Sequence, residues 1–209
     1  MLIDPLINID VICYINLSHR EDRKKHILSE LDRLGIPKQK IIRIEAVQDL
    51  LNGHRGCAYS HILALKEAEK RKKSVLILED DCQFIRNLSE IQSLSNYFFS
   101  TMGNDWDVFM LGGRIIKYKL TQFDEIYQVL LADCAHAYCV HKDYIPKLIS
   151  SFTNSYKLMK NDMFSFQSRP YAIDTKWIEL QKKDRWYITR VIAYQIDSYS
   201  DIEWRFRMW

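Results

Sequence analysis

The chain has 209 residues, 47% hydrophobic and 27% charged, which supplies enough apolar material for a real core and excludes a disordered or fibrous class. A formal net charge of +3 makes no demand for nucleic acid, and the densest basic run, Lys70-Arg71-Lys72-Lys73, reads as the solvated end of a helix. No apolar run approaches the roughly 18 residues that span a bilayer.

Met1 to Ile12 lacks the basic start and long apolar stretch of a leader, so none is expected. The five cysteines have no CxxC spacing, which fits neither a disulfide framework nor a zinc site. Reduced thiols in a cytoplasmic protein, folded as one domain over residues 1–209, are the simplest expectation.

In chain order, Val11 to Leu17 reads as a buried strand. Ser18-His19-Arg20-Glu21 then supplies a capping box for a helix whose Ile27, Leu28, Leu31 and Leu34 form one stripe before Gly35 and Pro37 stop it. Lys40 to Ala46 is a second strand, Gly53 and Gly56 frame a loop, and Ala58, Ile62, Leu65 and Ala68 recur at helical spacing, with Ser60 and His61 near the start of that helix. Ser74 to Leu78 is a third strand. Asn87 to Met102 is predicted helical, and Asp107 to Leu111 is a strand closed by Gly112-Gly113-Arg114, where glycines admit either a ligand or a turn. Ile126 to Ala132 and Ala135 to Val140 read as strands, and Lys142 to Ser150 as a helix. Phe152 to Tyr171, polar and irregular, reads as a long loop able to cover a site. Asp174 to Leu180 is a short helix and Trp186 to Gln195 a final strand. The aromatics of Trp204 to Trp209 are assigned to the core, although among arginines they also suit a sugar or a peripheral membrane contact.

Strands and helices in alternation predict a mostly parallel central sheet flanked by helices, with ligands beyond the carboxyl ends of its strands. Asn16, Glu45-Ala46 and Glu79-Asp80-Asp81 stand at three such ends. Side-chain alternation puts Glu79 and Asp81 on one face and Asp80 on the other. Clustered carboxylates repel one another unless a positive group sits among them. Mg²⁺ or Mn²⁺, shared with substrate phosphates, is one such group. Acidic residues also end buried strands simply in solvent, and the triplet alone leaves both readings open.

Seven blocks in sequence order resemble glycosyltransferase family 25, which includes bacterial lipopolysaccharide glycosyltransferases and procollagen galactosyltransferases. They are Tyr14-Ile15-Asn16-Leu17 with Arg20 and Arg23; Gly56-Cys57-Ala58-Tyr59-Ser60-His61; Leu76-Ile77-Leu78-Glu79-Asp80-Asp81; Trp106-Asp107-Val108 leading to Leu111-Gly112-Gly113; Ala137-Tyr138; Asp174 with Trp177; and Tyr199-Ser200-Asp201-Ile202-Glu203. The specific part is the glycine-cysteine-serine-histidine block followed some twenty residues later by the acidic triplet.

The resemblance implies an α/β, GT-A-like nucleotide-sugar-binding fold, a UDP-hexose donor, a divalent metal at the acidic motif, and inversion at the anomeric carbon. It assigns Asp81, Glu79 and Asp201 to the metal, with Asp80 as the alternate ligand. Asn16, Arg23, Ala46, Ser60, His61, Glu79, Asp80 and Gly113 fall to the donor. Asp174 becomes the base for an acceptor hydroxyl on a glycan, lipid-linked saccharide or hydroxylated side chain. Rival roles are a helix cap for Asp174, a solvent face for Arg23 and a structural place for His61; His136 reads as an ordinary strand residue. The chain's end just after Asp201 implies that a carboxyl-terminal part of longer relatives is missing. A non-catalytic nucleotide-sugar or glycan-binding module of the same fold is the alternative, and a two-metal phosphoesterase is disfavoured because the further ligands are lacking.

Overall fold

A computed structural model describes Leu6, residues 8–202 and residues 205–207. The first half alternates as expected: β1 (Val11–Asn16), α1 (Glu21–Arg33), β2 (Ile41–Glu45), α2 (Gly53–Arg71) and β3 (Val75–Glu79). β1 pairs in parallel with both β2 and β3.

The two helices lie on opposite faces. Ile27 and Leu31 of α1, with Leu34 just after it, pack with Ile12, Tyr14, Leu76 and Leu78, whereas Ala58, Ile62 and Leu65 of α2 pack with Val11, Cys13, Ile15 and Ile77. The period-two pleat thus divides odd and even strand residues between two cores, and every residue of β1 is buried. Crossovers on opposite faces leave a crevice beyond the carboxyl ends of β1 and β3.

The second half comprises β4 (Cys82–Phe84), α3 (Leu88–Met102), β5 (Val108–Met110), β6 (Arg114–Leu120), β7 (Tyr127–Asp133), β8 (Ala137–Val140), α4 (Ile145–Leu158) and α5 (Ser165–Ser168). After these come α6 (Ile173–Lys176), α7 (Ile178–Gln181), β9 (Trp186–Ile188), β10 (Ala193–Gln195), β11 (Ser198–Ser200) and β12 (Arg205–Arg207). Eight strands form one sheet in the order β2-β1-β3-β8-β5-β9-β7-β6.

The expectation of a mostly parallel sheet is corrected to a mixed one. Only β1–β2, β1–β3 and β5–β9 are parallel, while β3–β8, β5–β8, β7–β9 and β6–β7 are antiparallel. The reason is the short link between β6 and β7, which can join only antiparallel neighbours. From that hairpin the chain re-enters the sheet, and β8 runs reversed between β3 and β5.

Four local expectations also change. α1 is entered at Arg20 without a side-chain cap, so the Ser18–Glu21 capping box does not form. Gly53 and Gly56 belong to the first turns of α2, which is capped by Asn52. A Cβ on Gly53 would lie 2.4 Å from the Ile202 Cα, and one on Gly56 2.5 Å from the Val47 carbonyl oxygen, so both glycines serve close backbone approach. α4 continues to Leu158 with Phe152 fully buried, which removes the first third of the expected covering loop. Trp186 to Gln195 is two strands in different sheets, β10 pairing with β4.

Asn87 does form the cap of α3, reciprocated by Glu90. Phe206 lies on β12, 63% exposed, so it does not join the core; Trp204 and Trp209 lie outside the described residues, as does most of the Met1 to Ile9 stretch. Among the described residues no helix is long and apolar enough to cross a membrane.

Candidate active site

A cavity of about 490 Å³ opens where β1, β2 and β3 end, a volume within the range of small-molecule sites. Its walls come from the ends of those strands, the first turns of α2, the start of α6 and residues 198–202. Glu79, Asp80, Asp81, Asp174 and Asp201 all line it.

β3 stops at Glu79, and Asp80 and Asp81 form the turn into β4, so strand alternation does not extend through the triplet. The expectation that Asp80 points to the opposite face is therefore corrected. Asp80 and Asp81 converge on one nitrogen, Arg23 Nη1, each at 3.1 Å. Arg23 Nη2 donates onward to Ser198 Oγ at 2.5 Å and to the Tyr199 carbonyl at 2.8 Å. Gln195 donates from Nε2 to Glu79 Oε2 at 3.1 Å and to Asp81 Oδ1 at 3.4 Å. β10 pairing with β4 brings Gln195 opposite Cys82 and so beside the triplet.

One guanidinium does not balance three carboxylates in so buried a place. Burial, then the charges of Glu79 and Asp80, push the Asp81 carboxyl up to about 7 against the pull of Arg23. Burial also raises Asp80 despite Arg23 and Asn16. Glu79 is pushed up by burial but ends below its ordinary value, because His61 hydrogen-bonds to it and His61, His136 and Arg23 add favourable charge. A buried oxygen set with excess negative charge fits a hard divalent ion by the chemistry of its donors. Asp201 lines the same cavity, but its Oδ2 accepts from Arg20 Nη1 at 2.5 Å and its Oδ1 lies 3.5 Å from His19 Nε2.

Asp174 sits in the first turn of α6 and does not cap that helix. Its Oδ2 accepts from the Cys134 backbone N–H at 3.2 Å. Burial, with the charges of Asp133 and Glu79, raises its pKa despite that hydrogen bond and Arg169. Cys134 holds φ of +67°, a left-handed conformation that costs a non-glycine residue about 1 kcal/mol or more and aims its N–H at the carboxylate.

His61 is buried between two partners: Nδ1 lies 2.8 Å from the Tyr138 hydroxyl and Nε2 3.2 Å from Glu79 Oε1. Ser60 lines the cavity, yet its hydroxyl donates to the Gly56 carbonyl and accepts from the Val47 N–H, fixing the loop after β2. Ala46 lines the cavity too. Asn16 and Gly113 do not. Asn16 is buried behind it, donating to Asp80 Oδ2 at 2.8 Å and accepting from Arg43 Nε at 3.1 Å. Gly113 has φ of +140°, and a Cβ there would meet the Asp133 carbonyl, so backbone packing accounts for it. His136, just before β8, is buried between the Gly112 and Ala193 backbones. Gln195, Arg114 and the wall around Cys134 complete the cavity without any motif that marked them.

No protein-family model and no curated protein matches this sequence. Among solved structures, the chain is similar to a mannose-1-phosphate geranyltransferase from Thermus thermophilus, with a TM-score of 0.50 and 11% identity over 90% of this chain and 75% of that one. It is also similar to A197 from STIV, with a TM-score of 0.49 and 12% identity over 90% and 86% of the two chains. A glycosyltransferase involved in the glycosylation of the major capsid of PBCV-1 gives 0.47 and 10% identity over 85% and 80%. The first likeness establishes the α/β fold, and at such identities it speaks to the fold alone.

Proposed function

We propose that the protein is a metal-dependent, inverting glycosyltransferase that moves a hexose, galactose or glucose, from a UDP-sugar to a hydroxyl of a glycan, lipid-linked saccharide or hydroxylated side chain. The observation that carries this reading is the convergence of Glu79, Asp81 and Asp174 in one cavity beyond the ends of β1 and β3. The motif resemblance to glycosyltransferase family 25 supports it, and the fold is compatible.

Asp81 and Glu79, with Asp201, would hold Mn²⁺ or Mg²⁺, whose chemistry is Lewis-acid stabilisation of a departing diphosphate. Arg23 keeps Asp80 and Asp81 together and ties residues 198 and 199 over the same end of the cavity. Asp174 receives the proton of the acceptor hydroxyl as its oxygen bonds to the anomeric carbon and the diphosphate leaves with the electron pair. Burial makes Asp174 a stronger base than an exposed aspartate, and the Cys134 N–H fixes one of its oxygens at the cavity wall.

Calorimetry of UDP with and without Mn²⁺, followed by hydrolysis of a panel of UDP-sugars, tests the reading. Metal-dependent UDP binding with turnover of one hexose donor is expected. Binding without turnover would turn the assignment to the non-catalytic module, and an absence of metal-dependent UDP binding would remove both.

A further inference from the structure

Cys57 and His61 lie four residues apart on α2, hence on one helical face, and Glu79 meets them from the end of β3. One ligand atom from each, the sulfur, an imidazole nitrogen and a carboxylate oxygen, lies within 4.8 Å of the other two. All three residues border the cavity. A tetrahedral zinc centre, with bonds near 2.0 Å to nitrogen and 2.3 Å to sulfur, has ligand-to-ligand edges of about 3.3 to 3.7 Å. The His61 Nε2 to Glu79 Oε1 separation of 3.2 Å already matches such an edge. A modest inward movement of the cysteine side chain closes the rest.

The outer partners of these ligands are also in place. The second oxygen of Glu79 is held by Gln195 Nε2 at 3.1 Å, and His61 Nδ1 by the Tyr138 hydroxyl at 2.8 Å. That hydroxyl both donates and accepts. It can therefore donate to Nδ1 when Nε2–H faces Glu79, or accept from Nδ1–H and leave the Nε2 lone pair for an ion. Metal-bound histidines are oriented by this kind of contact.

We propose that Cys57, His61 and Glu79 form a binding site for a thiophilic divalent ion of the zinc class, with a fourth position open to the cavity. The thiolate and imidazole distinguish it from the all-oxygen set around Asp81, which suits Mg²⁺ or Mn²⁺. Binding releases the thiol proton to solvent. The proposal shares Glu79 with the transferase reading, and its thiolate-to-metal readout through Cys57 keeps the two distinguishable.

Titration of the reduced protein with Co²⁺ is the test. One equivalent is expected to give a thiolate-to-cobalt charge-transfer band and tetrahedral visible bands, displaced by Zn²⁺ and not by excess Mg²⁺. Cys57→Ser should abolish the charge-transfer band, Cys134→Ser and Asp81→Asn should keep it, and Tyr138→Phe should weaken binding about 10-fold or more. If Cys57→Ser does not fold, mass mapping of wild-type thiols gives the same answer: Zn²⁺ should protect Cys57 from alkylation. Absence of a charge-transfer band in folded wild-type protein, persistence of the band in Cys57→Ser, or unchanged alkylation of Cys57 under Zn²⁺ would overturn the proposal. UDP binding measured on the same samples reports on the transferase reading separately.

Discussion

Replacing Asp81 by asparagine is expected to strengthen the metal-free fold at pH 8 and to do so by only about half as much at pH 5. In the unfolded chain this carboxyl ionises near 3.8, whereas in the fold burial and the neighbouring Glu79 and Asp80 charges hold it protonated up to about 7. A pKa raised by folding means that the group's contribution is fully present below the unfolded value and is lost as pH climbs through 7. At about 1.4 kcal/mol for each pH unit between the two ionisation points, the ionised carboxylate costs the fold about 4 kcal/mol above pH 7. That figure already includes the pull of Arg23 on the carboxylate, and asparagine removes the ionisation altogether. Arg23 is not orphaned, because Asp80 remains 3.1 Å from the same nitrogen. The gain is therefore about 4 kcal/mol at pH 8 and about 2 kcal/mol at pH 5, where the unfolded carboxyl is already ionised. Urea unfolding of both proteins with a chelator present, at pH 5 and pH 8, measures it. Asp80 and Asp174, also raised, weaken both proteins alike as pH rises, so the quantity to follow is the difference between variant and wild type at each pH. A difference that is the same at both pH values, or a wild type that is the more stable at pH 8, would refute the charge-excess account of this site. In Mn²⁺ at about 100 times its dissociation constant the gap should shrink, since only the wild type gains about 2.7 kcal/mol from binding.

Asp174→Asn should lower turnover by about 10² to 10⁴ while leaving UDP affinity unchanged, because an amide oxygen still accepts from Cys134 but takes no proton; steady-state kinetics beside calorimetry separates the two. Asn52→Ala is expected to cost about 2 kcal/mol in thermal or urea unfolding, since it removes the cap of α2 and the buried partner of Ser168, 2.6 Å away. Lys72→Gly should stabilise by up to about 1 kcal/mol in the same assay, because Lys72 ends α2 with φ of +55°, where glycine carries no Cβ penalty.

Much of the first half of the fold is legible in the residues themselves. Val11 to Ile15 and Val75 to Leu78 are apolar runs because helices cover both their faces, and Ile27, Leu31 and Leu34 form a stripe because one face of α1 and the residue after it meet that sheet. The second half is less legible because its strands sit at an edge or are very short. β6 exposes nearly all of Arg114 to Leu120, so burial imposes no alternation on it. β4, β9 and β10 have three residues each, too few to show a period.

At the site, the acidic triplet and Asp174 stand out locally and do meet in one cavity, whereas Gln195 is brought there by tertiary pairing that leaves no local mark. Arg23 reads as a donor contact or a solvent face, yet the fold commits it to Asp80 and Asp81. Cysteine spacing gives no sign of the Cys57 cluster, since its partners are a histidine one helical turn on and a glutamate from a strand.

Arg20 and Arg23 grip residues 198 to 201 across 175 to 181 positions of chain. Closure of the pocket consequently depends on contacts between segments very far apart in the chain, and a partial opening that released residues 198 to 201 would leave the sheet in place with its acidic end unroofed.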